Sequence, residues 1–320
     1  MSVLLVLALG FGLLVGGADL LVRGASALGV QQGLSPTFVG LTIVAAGTSA
    51  PELSVSLVSA LEGHPDLAVG NIVGSNIFNV LLVLGLAAVV QPLDVRGATV
   101  RLEWPAMMLS SLAFLVVARD GRLDSLDGLL LFSAYVAFIS MNAYVAPHLV
   151  APDEAAAFSE NLVDELQATE PSVGRAWALT LLGAALLAAG GHWVSDGAAR
   201  LTDVLGVSQR VVGLTVAAIG TSLPELFTCV VASMRGEHDI AVSHVVGSNI
   251  VNVLGILGLI SLVHPLPVGE QMLRVDAMWM IGSAALLFPL VLSRTKIHRV
   301  EGQLLMVAAA IYGATLFAQG

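Results

Sequence analysis

GTSAPELSVSLVSALEGHPDLAVGNIVGSNIFNVLLVLGL, from Gly47 to Leu86, returns as GTSLPELFTCVVASMRGEHDIAVSHVVGSNIVNVLGILGL, from Gly220 to Leu259. The two stretches align without a gap at an offset of 173 residues, and 22 of the 40 positions are identical. Shared apolar composition alone does not produce that many matches, so the chain is internally duplicated. The same offset carries Gly33-Leu34-Ser35 onto Gly206-Val207-Ser208, and Arg101-Leu102-Glu103 onto Arg274-Val275-Asp276. The copies therefore extend over nearly everything, 1–150 and 173–320, with their most similar parts at about 34–90 and 207–263. Between them, 151–172 holds Asp153, Glu154, Glu160, Asp164, Glu165 and Glu170 and reads as a solvated acidic linker.

Outward from the repeat, the chain is 57% hydrophobic and 11% charged, far below the roughly 25% charged of a soluble domain. Apolar runs near the ~20 residues that cross a hydrocarbon core recur along it. They lie at about 2–29, 37–61, 66–90, 102–118, 125–148, 173–200, 208–234, 240–263, 274–293 and 299–318. The expected fold is all-α and integral to the membrane, with ten transmembrane helices. Met1 to Leu28 is too long, and too poor in basic residues at its start, for a cleaved signal peptide. Five spans per copy is an odd number, so the second copy enters the membrane from the opposite side and the two form inverted repeats. Loops on the face of the termini carry Arg119, Arg122, Arg200, Arg210 and Arg274; the other face carries Arg23, Arg96, Arg101, Arg175, Arg235, Arg294, Lys296 and Arg299. The basic bias puts both termini outside the cytoplasm and the linker inside it, for a multi-pass protein of the cell membrane. The lipid bilayer is then the surrounding partner. A net charge of −10 excludes nucleic acid, and no feature points to a protein partner. The single cysteine, Cys229, reads as a packing residue.

Two carboxylates fall inside apolar runs, Glu52 and Glu225, where a lone ionised group costs roughly 3 kcal/mol or more. Each follows a proline, Pro51 or Pro224, which removes a backbone donor and frees carbonyls one turn earlier, those of Ala45 and Ala218 or their neighbours. Thr48 and Thr221 lie four residues before the glutamates, flanked by Ser49 and Ser222. In the next helix of each copy, Ser75 with Asn79 and Ser248 with Asn252 are again four apart, with Asn76 and Asn249 alongside. Such pairs share a helix face. The set is all oxygen, which suits a hard cation taking about six to eight ligands, Ca2+ above all. Two carboxylates balance one Ca2+. Gly40, Gly47, Gly74, Gly213, Gly220 and Gly247 read as points of close helix approach. Asp19 and Arg23 are spaced to pair, Asp196 stands at the repeat position of Arg23, and His64, His238 and His244 read as boundary residues.

At GTSAPE with GSNIFN, and again at GTSLPE with GSNIVN, the sequence resembles the calcium/cation antiporter superfamily, of the sodium/calcium exchanger type with two α-repeats. The resemblance implies a core of the second, third, seventh and eighth helices, across which the first and sixth slide. It implies Ca2+ held by Glu52 and Glu225 with the carbonyls of Thr48 and Thr221, and Na+ held by Ala45, Ser49, Ser75, Ala218, Ser222 and Ser248. Asn76, Asn79, Asn249, Asn252, Pro51 and Pro224 line the site. Many members carry Asp where this chain has Asn79 or Asn252, so stoichiometry and any part for K+ or H+ stay open. The expected function is secondary Na+/Ca2+ antiport by alternating access, with no cofactor. Ca2+/H+ antiport ranks below it, because proton-coupled relatives carry a GNATE-like motif in place of GTSAPE. A passive cation channel is a further alternative. No nucleophile, cofactor site or metal triad suggests an enzyme.

Overall fold

The computed structural model describes residues 2–32, 45–95, 103–149, 172–234, 238–294 and 296–319. The linker 151–171, with Gly40 and the first part of the second apolar run, lies outside the described residues. Helix follows helix. In order they are α1 (Val3–Gln31), α2 (Ala45–Thr48 and Ala50–Leu61), α3 (Pro65–Val90), α4 (Trp104–Val117), α5 (Ser125–Leu149), α6 (Val173–Leu205), α7 (Gln209–Thr221 and Leu223–Met234), α8 (His238–Ile250, running on to Val263), α9 (Ala277–Arg294) and α10 (Arg299–Gln319). Each expected span coincides with helix over most of its described residues. Among the described residues, however, by length and composition alone only Val3–Gly29, Pro65–Val90, Val173–Leu205 and Ala241–Val263 are sufficient to cross a membrane, with the bent α7 pair as a fifth. α2 and α4 fall short because their helical pieces are 12 and 14 residues long.

Local sequence sets the ends. α6 starts where the Ser172 hydroxyl accepts the Arg175 N–H, and stops at Gly206, whose φ of 66° a side chain would resist. Gly63, at φ 84°, turns the chain between α2 and α3. α3 and α8 each loosen to π-helix, at Asn79–Leu84 and Val251–Leu257. π-Segments inside α-helices concentrate at functional sites.

The two copies interlock, and their contacts repeat at an offset of 173 residues, shifting to 174 from Arg122 onward. α1 and α6 lie antiparallel along a glycine seam: Gly10, Gly17 and Gly24 on one helix, Gly183, Gly190 and Gly197 on the other. A Cβ added at Gly17 would stand 2.9 Å from the Leu187 amide nitrogen, and one at Gly190 would stand 2.9 Å from the Gly10 carbonyl. The backbones touch because nothing larger intervenes. α10 crosses α3 where Gly302 meets the Gly85 carbonyl, and α5 crosses α8 where Gly128 meets the Gly258 carbonyl. Two short ribbons complete the exchange: Leu93–Asp94 with Lys296–Ile297, and Arg122–Leu123 with Leu266–Pro267, both antiparallel. Each repeat thus packs an outer helix and an extended pair against the other. The most buried layer is α3 with α8, backed by α7 and α2.

Of the glycines expected at close approaches, Gly74 and Gly213 are confirmed: Cβ atoms there would lie 2.7 Å from the Leu214 carbonyl and 2.8 Å from the Leu67 carbonyl. Gly47 and Gly220 face side chains of α1, Val22 and the Phe11 ring. Gly247 is a correction, since a Cβ would meet nothing within 4 Å. Arg210 is another. It is buried rather than a loop charge, with Nε 2.6 Å and Nη2 3.0 Å from the Asp276 carboxylate, which also accepts the Tyr312 hydroxyl at 3.1 Å. Asp19 and Arg23 pair at 2.9 Å as expected, and Asp196 pairs with Arg200 at 3.0 Å.

Candidate functional site

α2 and α7 break at matching places. Pro51 and Pro224 cannot donate to the preceding turn, and the helices are interrupted at Ser49 and Ser222. The two parts of α7 meet at a bend of 46°. Glu52 and Glu225 therefore stand in the first turns of new helical segments, and both are fully buried.

The breaks face each other across the two copies. Ser222 donates to Glu52 Oε1 at 3.1 Å, and Ser49 donates to Glu225 Oε1 at 3.4 Å. Each carboxylate is thus held by the serine of the opposite repeat. Ser75 lies 3.5 Å from the Thr221 hydroxyl and donates to the Ala218 carbonyl at 3.5 Å. That carbonyl also accepts the Ser222 N–H at 3.1 Å and the Thr221 hydroxyl at 3.3 Å. The Ala218 carbonyl, one of those expected near the proline break, thus sits inside the hydroxyl network. Ser248 is buried one turn before Asn252, Pro51 is buried and Pro224 half-buried, and Thr48 closes the turn opened by Ala45.

Behind the carboxylates, four amides close a ring between α3 and α8. Asn76 donates to the Asn249 carbonyl at 3.1 Å and Asn249 to the Asn76 carbonyl at 3.0 Å. Asn79 donates to Asn249 Oδ1 at 3.1 Å, and Asn252 to Asn76 Oδ1 at 3.0 Å. Asn76 and Asn249 spend their side chains on each other's repeat, whereas Asn79 and Asn252 keep their own Oδ1 atoms. Those two oxygens, with Glu52 Oε2 and Glu225 Oε2, are buried and have no hydrogen-bond partner among the described residues. They form two pairs related by the repeat. Unpartnered buried acceptors of this kind are costly unless a positive charge or a donor meets them. No group of three or more His, Cys, Asp and Glu able to hold a metal occurs among the described residues. A cation here would rest on two carboxylates completed by neutral oxygens, as hard ions accept.

Two features escaped the sequence argument. Asn71, fully buried, donates to Ser56 Oγ at 3.0 Å and to the Glu52 carbonyl at 3.4 Å, and its Oδ1 accepts the Thr221 hydroxyl at 3.2 Å. Its four-residue spacing before Ser75 was the available signal. His244, expected at a boundary, lies within α8 with Nε2 buried. The other two histidines are bonded near helix ends, His64 to Gln209 at 2.9 Å and His238 to Asp94 at 3.2 Å. Cys229 is packed as expected, its thiol donating to the Ala241 carbonyl at 3.5 Å. Outside the membrane layer, the Lys296 ammonium beside Asp94, and then His238, holds that carboxyl below its usual range.

Comparison with known proteins identifies the family. The family model described as "Sodium/calcium exchanger protein" matches residues 2–144 and 175–318. The chain is 37% identical over 314 residues to a putative antiporter, CaxA, of Alkalimonas amylolytica, covering 96% of each. It is 31% identical over 342 residues to the sodium/calcium exchanger MaX1 of Methanosarcina acetivorans, covering 98% of each. Among solved structures it is similar to the sodium-calcium exchanger NCX_Mj soaked with Na+ and Sr2+, at a TM-score of 0.66 and 28% identity over 98% of both chains. A duplicated helical membrane chain with facing Glu-bearing breaks, matched by the family model in both of its halves, belongs to the sodium/calcium exchanger family of cation antiporters.

Proposed function

We propose that the protein exchanges Na+ for Ca2+ by alternating access at the shell between α2, α3, α7 and α8. The observation that carries this reading is the pair of pairs of unpartnered buried oxygens, on Glu52, Glu225, Asn79 and Asn252. Ca2+ is bound by the two glutamates with the carbonyls of Thr48 and Thr221. Na+ occupies flanking positions at Ala45, Ser49, Ser75, Ala218, Ser222 and Ser248. Both ions draw on one limited set of negative charge, so binding one expels the other. Antiport follows if the empty carboxylate pair cannot switch between inward and outward access, because a shell that crosses only when loaded does not leak. The serines that cross between repeats support this, since each half-site is completed by the other half. The ten helices act as two inverted repeats of five joined by the acidic linker, with both termini outside the cytoplasm of a cell. The antiparallel α1 and α6 support that opposed sense.

The test is uptake of radiolabelled Ca2+ into proteoliposomes loaded with Na+, at equal pH on both sides. Uptake that follows the Na+ gradient is expected. Uptake that needs a proton gradient instead would replace this reading with Ca2+/H+ antiport on the same glutamates, and Ca2+ leak without a counter-ion would make the protein a channel.

A further inference from the structure

Behind each glutamate stands one side chain that the ion shell does not use, and the two copies differ there. In the first copy it is Asn71. Its Nδ2 donates to the Glu52 carbonyl and to Ser56, while its Oδ1 accepts the hydroxyl of Thr221 from the other repeat. One amide thus binds the helix that carries Glu52 to the turn that precedes Glu225. At the repeat offset, Asn71 becomes His244 and Ser56 becomes Cys229. α8 packs against Leu223–Met234 and against Ala45–Thr48, as α3 packs against Ala50–Leu61 and Ala218–Thr221, so His244 occupies the equivalent place. The bonds are not equivalent. The Cys229 thiol turns to the Ala241 carbonyl, and His244 Nε2 is buried without a hydrogen-bond partner among the described residues.

We propose that positions 71 and 244 are the braces of the two half-sites, and that His244 leaves the Glu225 half the more weakly held. Asn71 and His244 are positioning residues, acting on the cation through the helices they support. The physical reason is reach and polarity. An amide offers a donor and an acceptor from one short side chain, so it bonds a carbonyl on one helix and a hydroxyl on another together. A neutral imidazole has one donor and one acceptor on opposite edges of a ring, and here Nε2 finds no partner. A loosely held half-site binds its ion less tightly and releases it sooner. For a transporter whose turnover includes release, that trades affinity for rate.

This inference rests on the proposed Ca2+ site, and the experiment separates the two. Ca2+ binding to purified protein is measured by calorimetry, alongside the KM and maximal rate of Na+-driven Ca2+ uptake, for the wild type, His244→Asn and Asn71→His. His244→Asn installs the residue of the first repeat. It should tighten Ca2+ binding by about threefold to tenfold, the range one buried hydrogen bond supplies, and lower KM and maximal rate together. Asn71→His should weaken binding by a similar factor without a loss of rate. A purely structural role would change thermal stability and yield while leaving the two kinetic constants in their wild-type ratio to binding. Wild-type Ca2+ affinity in folded His244→Asn overturns the brace, even if Asn71→His fails to fold. A wild type that binds no Ca2+ overturns the functional reading itself.

Discussion

The first and second repeats agree in the facing Glu-bearing breaks and the amide ring, and disagree in the side chains that hold them in place. Glu52 and Glu225, Ser49 and Ser222, Asn76 and Asn249, and Asn79 and Asn252 make the same bonds with the repeats exchanged. Even the sulfurs behind the ring match, with Met280 near Asn76 at 3.7 Å and Met107 near Asn249 at 3.6 Å. Among the side chains directly behind this layer the correspondence is incomplete. Asn71 faces Ser56 where His244 has Cys229, and the buried Arg210–Asp276 pair stands in the second repeat, where Glu103 takes the place of Asp276 in the first. A shared shell needs both halves to present the same charge and oxygen, so duplicated positions there have little freedom. The supports need only hold a helix, and different side chains can do so.

The comparison breaks most visibly at the carboxylates. Glu52→Gln and Glu225→Gln should each reduce Ca2+ transport by roughly a hundredfold or more, since either removes half of the fixed charge from one buried shell. Monodisperse, folded variants that retain wild-type uptake would show that the two repeats do not share a site. Next in size is the seam that joins the repeats. Gly183→Leu should lower the stability of the detergent-solubilised protein by about 1–3 kcal/mol, read as a lower melting temperature, because its side chain has only the α1 backbone to occupy, 2.7 Å from the Gly17 carbonyl.

A smaller effect sharpens the amide ring. Asn252 Nδ2 donates to Asn76 Oδ1, so Asn252→Asp either holds a proton to keep that bond or ionises and adds a third charge to the shell. Exchange by this variant should gain a dependence on pH or a changed Na+ to Ca2+ preference, and a profile identical to the wild type would place position 252 outside the shell. The smallest effect is at the ribbons. Lys296 pairs with Asp94 at 2.8 Å, but the two side chains are 49% and 40% exposed, so solvent screens them. Lys296→Met should cost less than ~1 kcal/mol at neutral pH. Because the native Asp94 carboxyl lies below its usual range, the stability it contributes is present above that range and lost as acid protonates it. The difference between variant and wild type should therefore vanish in acid, as a pH series of melting temperatures would show.

Much of the fold and the site was legible because the chain says it twice. Glu52 and Glu225 declared themselves as carboxylates in apolar runs, and the four-residue spacing of Ser75 with Asn79 put oxygen on one helix face. Direction was harder. The spacing sets Asn79 and Asn252 on the serine face but does not tell which amides keep an unpartnered oxygen; the side chains of Asn76 and Asn249 bond across the repeat. Asn71 was missed because its four-residue spacing before Ser75 has no counterpart in the second copy, where His244 stands, and because its role depends on Thr221, 150 residues away. The glycine seam was in view as a seven-residue spacing at Gly10, Gly17 and Gly24 and again at Gly183, Gly190 and Gly197. It is obscured by other glycines that face no backbone, such as Gly12 and Gly16.

The central claim is that Glu52 and Glu225 belong to one Ca2+ shell built across the repeats. Calorimetric titration of Ca2+ into the wild type, Glu52→Gln, Glu225→Gln and the double variant tests it most directly. The account predicts one ion per chain in the wild type and loss of that ion in either single variant, with the double variant no worse. Two ions per chain, with one surviving in each single variant, would contradict it.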